Sequence, residues 1–107
     1  MTESTPVLAI DLHTVIDIPP NGTLSRTLIS DHHGRVVIFG FDAGQELTKH
    51  TSAYPAIIQI IKGQATIQLG ENSHEAQAGF LAHMPANLPH SIVANTPVIM
   101  LLMLQQS

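Results

Sequence analysis

Apolar positions along the chain gather into short runs that glycine, proline, asparagine and aspartate cut apart. Val36–Phe41 is a continuous β-branched and aromatic run, closed by Asp42-Ala43-Gly44. Thr23–Ser30 resembles a half-buried strand, and Asp31-His32-His33-Gly34 behind it reads as a turn, because Asp and Gly supply local hydrogen bonds and permissive dihedrals. In Gln64–Leu69 the apolar Ala65, Ile67 and Leu69 alternate with Gln64, Thr66 and Gln68, the period of a strand with one wet face. Ala56–Leu69 thus holds two strands around Lys62-Gly63-Gln64, with Gly70–Glu75 as a hairpin tip. Gly79–Met84, Ser91–Asn95 and Val98–Gln105 finish the chain, while Val7–Ile18 predicts one or two short strands before the break Pro19-Pro20-Asn21-Gly22. No window sustains a capped helical period. Short strands with turn signals between them predict an all-β sandwich or barrel.

Composition narrows this to one domain, residues 1–107, with no linker or low-complexity segment. Hydrophobic residues make up 44% and charged residues 11%, against roughly 25% charged in ordinary soluble domains. The shortage of charge, with long apolar strands such as Val36–Phe41, predicts a sheet face buried against a second copy: a homodimer. Net charge is −4, and Arg26, Arg35, Lys49 and Lys62 form no stripe that could neutralise phosphates, so nucleic acid is not an expected partner. The absence of cysteine excludes disulfides and thiolate metal sites and suits a reducing compartment. Met-Thr-Glu-Ser-Thr-Pro lacks the regions of a signal peptide, and the most apolar run, Val98–Leu104, is far shorter than the ~20 residues of a spanning helix. A cytoplasmic protein that does not enter the membrane is expected.

The candidate chemistry lies in two histidines, each following a glycine in a repeated pattern. Gly44, five residues, then His50 runs on to Gly63; Gly79, five residues, then Pro85-Ala-Asn87-Leu-Pro-His90 is followed by Asn95. Here the residues resemble the cupin family. Its first motif runs glycine, five residues, His-x-His, three or four residues, glutamate, six residues, glycine, and residues 44–63 keep its spacing. Its second runs glycine, five residues, proline, x, glycine, two residues, histidine, three residues, asparagine. Residues 79–95 follow it, with Asn87 in the glycine slot and Asn95 one residue late. The chain is most similar to small single-domain bacterial members. The resemblance implies a jelly-roll β-barrel, or double-stranded β-helix, closing over one pocket.

In cupins the two first-motif histidines, the glutamate and the second-motif histidine bind a divalent metal. Carried over by position, those ligands are His50, Ser52, Ala56 and His90, so two of the four are replaced. Alanine cannot coordinate, and two neutral imidazoles bring no negative charge to a hard dication. Imidazole nonetheless suits Zn, Ni, Fe and Cu, and His50 and His90 remain candidate ligands for a divalent transition metal of that series or Mn.

If the segment after His50 stays extended, Ser52, Tyr54, Ala56, Ile58 and Ile60 share its face. Ser52, Tyr54, Ile58, Ile60 and Met84 are the candidate pocket residues, with Ile67 and Leu69 as further apolar wall. Parity turns Ala82 and Met84 inward and His83 outward; His13, His32, His33 and His74 read as surface. No Gly-x-Ser-x-Gly elbow or phosphate-cradling glycine loop occurs, and the acidic residues sit in turns and polar stretches, Glu46 nearest the mouth. Two readings stay open: a pocket in which the histidines hydrogen-bond a small organic ligand, and a metal-dependent enzyme of dioxygenase or isomerase type with a reduced two-histidine site.

Overall fold

The computed structural model describes residues 7–106; Met1–Pro6, read above as lacking signal-peptide character, lie outside the described residues. Among the described residues the chain forms nine strands: β1 (Thr23–Asp31), β2 (Gly34–Phe41), β3 (Glu46–His50), β4 (Ala56–Lys62), β5 (Gln64–Leu69), β6 (Asn72–Gln77), β7 (Leu81–Met84), β8 (His90–Ala94) and β9 (Val98–Gln105). They make a five-stranded sheet in the order β1-β2-β9-β4-β7 and a four-stranded sheet in the order β3-β8-β5-β6. Every pairing is antiparallel. Among the described residues no helix is long and apolar enough to cross a membrane.

Alternation explains how the sheets face each other. Val98 and Met100 of β9, with Ala56, Ile58 and Ile60 of β4, turn inward from one sheet. Ala65 and Ile67 of β5 and Ile92 and Ala94 of β8 meet them from the other. Burying a large aliphatic side chain contributes about 1.5–3 kcal/mol, so this cluster is the main source of stability. The alternation read in Gln64–Leu69 is present, with Ala65 and Ile67 buried and Gln64 exposed. Gly63, between β4 and β5, has φ of 89°, and a Cβ there would lie 2.0 Å from the Pro97 carbonyl oxygen, so only glycine fits without a backbone shift.

Residues 7–18 form no strand. Thr14 and Val15 donate their amides to the Asp11 carbonyl at 3.2 and 3.0 Å, closing a turn. Behind the turn, Leu12, Val15, Ile16 and Ile18 pack on Ile38, Ile99 and Leu101. These three belong to the outward face of the five-stranded sheet. Leu12, Val15, Ile16 and Ile18 form a strap over a face already apolar, which is why their spacing does not alternate cleanly, while Val7, Leu8 and Ile10 are exposed.

The polar breaks act as the sequence suggests. Asp31 Oδ1 accepts the amides of His33 and Gly34 at 2.8 and 3.2 Å, building the β1–β2 turn. Asp42 accepts Asn21 N–H at 2.7 Å and Ala43 N–H at 2.9 Å, tying the proline-rich break to the end of β2. The hairpin tip is shorter than expected: only Gly70 and Glu71 separate β5 from β6, and His74 lies within β6.

Candidate functional site

The site is built where β3 meets β8. Leu47 pairs with Ile92 and His50 with His90, so β3 advances three residues while β8 advances two. In a regular strand Leu47 and His50 would point to opposite faces. The extra residue is a bulge, and it returns His50 to the inward face that His90 already occupies. The two rings end with centroids 4.1 Å apart at an interplanar angle of 58°. His90 is 9% exposed, whereas His50 is open to solvent. The pair therefore spans the step from surface to interior.

Each ring is held in the same way. His50 Nδ1 lies 2.8 Å from the Thr48 carbonyl oxygen, and His90 Nδ1 lies 2.8 Å from the Leu88 carbonyl oxygen. A carbonyl can only accept, so in the neutral imidazole Nδ1 carries the proton and Nε2 keeps its lone pair. Such a bond contributes about 0.5–1.5 kcal/mol and, more to the point, fixes tautomer and ring orientation. The carbonyls of Thr48 and Leu88 hold the two rings, and nothing in the sequence points to them. Side-chain identity carries no signal for a backbone contact.

The row across the sheet carries no charged side chain. Pairing sets Leu69 opposite His90 and Asn72 opposite Leu69, so the row across the sheet reads Asn72, Leu69, His90, His50. Asn87 N–H donates to the Ser52 carbonyl at 2.7 Å and joins the two histidine-bearing segments. Asn87 has φ of 67°, a left-handed conformation that asparagine tolerates, which accounts for its place in a glycine slot. Ser52 is half-buried, and its Oγ accepts Tyr54 N–H at 3.2 Å. The segment after His50 bends there, so the chain leaves one sheet and enters the other at Ala56. Tyr54 is 45% exposed and borders a groove with His33, Pro55 and Gln105. Ile58, Ile60 and Met84 are buried members of the main core, with Leu69 and Leu88 half-buried against it.

The remaining candidates lie elsewhere. Asn95 Nδ2 donates to Thr66 Oγ1 at 3.0 Å, and Thr66 Oγ1 donates to Glu75, a polar ladder on the outward face of the four-stranded sheet. Glu46 pairs with Val93 on that same outward face. His83 is exposed and opposite Ile57 on the outward face of the other sheet, as parity suggested. His13, His32, His33 and His74 are exposed, although His74 shares the row of the buried Ile67 and lies 5.9 Å from the Phe80 ring. Among the described residues no three His, Cys, Asp or Glu side chains gather into a metal-binding group. The donors present thus do not fit the four-ligand metal site of the resemblance: two imidazoles stand with a serine and an alanine.

The family model described as a cupin domain matches residues 37–104. The chain belongs to the cupin family. A crystal structure of a conserved protein of unknown function from Streptococcus pyogenes is similar at 30% identity and a TM-score of 0.85, covering 94% of this chain and 88% of that one. A cupin superfamily protein from Desulfitobacterium hafniense aligns at 20% identity and a TM-score of 0.85, covering 90% of this chain and 88% of that one. A variant of salicylate 1,2-dioxygenase from Pseudoaminobacter salicylatoxidans shares the fold at 15% identity and a TM-score of 0.74, covering 78% of this chain and 26% of that one. No curated protein matches the chain. Membership of the cupins makes the two sheets a jelly-roll barrel.

Proposed function

We propose that this cupin binds a small organic molecule through the His50–His90 pair. In this reading Ser52 and Tyr54, on the segment that follows His50, contribute polar groups, and the buried Ile58, Ile60 and Met84 are the apolar core behind them. One observation supports the reading: both Nδ1 atoms are committed to backbone carbonyls, which leaves both Nε2 atoms as acceptors on rings whose centroids lie 4.1 Å apart. With no carboxylate in the row, the site favours neutral ligands that donate hydrogen bonds and carry apolar surface, such as phenols and alcohols. The basic residues are too few for a nucleic-acid partner, and we infer a cytoplasmic homodimer. The test is a ¹⁵N-histidine NMR titration with a panel of such compounds. Binders should shift His50 and His90 together and lose affinity on His50→Ala or His90→Ala. Binders indifferent to both substitutions would sink the proposal.

A second reading has its own support. The Nδ1–H···O=C arrangement is the one that orients metal-binding histidines, and a dioxygenase is among the proteins of this fold. It makes the protein a metal-dependent enzyme of dioxygenase or isomerase type, with Zn, Ni, Fe, Cu or Mn on His50 and His90 and the other positions open to exogenous ligands. Elemental analysis of untagged protein separates the two: stoichiometric metal lost on His50→Ala favours the enzyme.

A further inference from the structure

Of the four asparagines, Asn21, Asn72, Asn87 and Asn95, only Asn21 is followed by glycine. Gly22 has no side chain to crowd its backbone nitrogen, which can attack the side-chain amide of Asn21. In that step a bond forms between Gly22 N and Asn21 Cγ, the nitrogen gives up its proton, and the Cγ–Nδ2 bond breaks to release ammonia. Water then opens either C–N bond of the five-membered imide, leaving aspartate or isoaspartate at position 21. The balance needs only water, and the chain gains one negative charge. Asn21 is exposed, so solvent reaches it.

The fold holds this dipeptide away from ring closure. Gly22 N–H donates to the Pro19 carbonyl at 3.2 Å and Asn21 has φ of 55°, the pattern of a type II turn with Pro20 and Asn21 at its centre. Closing the ring requires Gly22 N–H to leave Pro19 and the Asn21–Gly22 peptide to rotate toward Cγ. Asp42 grips that peptide at both ends. Its Oδ2 accepts Asn21 N–H at 2.7 Å, and its own N–H donates to the Gly22 carbonyl at 3.0 Å. The grip is anchored, because Phe41 beside it is fully buried. Rotation between two held ends breaks the Pro19 bond and at least one bond to Asp42, of which the carboxylate bond is the stronger.

We propose that Asn21-Gly22 is a deamidation site latched by Asp42, so that the modification marks chains in which this clamp has opened. Opening does not require the barrel to unfold, because residues 19–22 lie outside the nine strands. Once formed, the new carboxylate stands beside that of Asp42, and like charges oppose reclosing. The inference is independent of the histidine pair.

The test follows the tryptic peptide of residues 1–26, in which Asn21 is the only amide side chain, by mass and isoaspartate content during incubation in mildly alkaline buffer. In urea the wild-type chain should convert faster at Asn21 than at Asn72, Asn87 or Asn95. Folded wild type should convert at Asn21 at least about tenfold more slowly than in urea. Asp42→Ala, its fold checked by circular dichroism, should lose most of that protection while its rate in urea stays that of wild type. Asp42→Asn keeps the shape with a weaker acceptor, should fall between the two, and serves if Asp42→Ala does not fold. Equal rates in folded and urea-unfolded wild type, or protection that survives the Asp42 substitutions, overturns the latch. No excess at Asn21 in urea overturns the site itself.

Discussion

His50 and His90 are the same residue in unequal surroundings, and that inequality predicts unequal costs. Replacing the buried His90 by Ala removes its bond to Leu88 and leaves a gap in packed surroundings, a loss of about 1–3 kcal/mol in urea unfolding. His50→Ala, at an exposed ring, should stay within about 1 kcal/mol. Asp42 gives a pH test. The amides of Asn21 and then Ala43 hold its carboxyl below the ordinary value of 3.8. A depressed carboxyl adds stability in full above that ordinary value and loses it as pH falls through the lower folded-state value. Acid unfolding of Asp42→Asn should therefore be flatter than wild type below about pH 4. Both aspartate turns were legible in the chain, since Asp beside Gly announces them. The carbonyls that hold the imidazoles were not, because every residue has one.

At the scale of elements, the strands were legible wherever one face is buried and the other wet. Gln64–Leu69 alternates, and its register follows. Val7–Ile18 misled because its packed part, Leu12–Ile18, is a strap lying across a sheet, which needs apolar residues but no strict period. The bulge in β3 could not be read at all, since it depends on how β8 pairs and not on any residue within β3. Glycines carry an element-scale prediction. Gly63→Ala should cost at least about 2 kcal/mol, since φ is 89° and the new Cβ would meet Pro97 O at 2.0 Å. Gly44→Ala meets nothing within 4 Å at φ of 86° and should cost about 1 kcal/mol from backbone strain alone. Denaturant midpoints of the two variants, ranked in that order, check the argument.

For the whole molecule, both sheets share one core, so the domain should unfold in a single step. Ile60 is fully buried in that core, and Ile60→Ala should lower stability by about 2–5 kcal/mol, with far-UV circular dichroism and tyrosine fluorescence falling together. The sequence by itself determined that the chain is all-β, that its turns fall at Gly, Pro and Asp, and that His50 and His90 stand at matching positions of two motifs. These are local matters: alternation, turn chemistry and spacing act within a few residues of one another. Tertiary structure alone decided that a bulge turns His50 onto the face of His90, and that two backbone carbonyls fix both tautomers. It alone decided that Leu12–Ile18 strap an outward face instead of adding a strand. Each of these depends on which strand lies beside which, and pairing across the chain is a property of the packed sheets rather than of any segment within them.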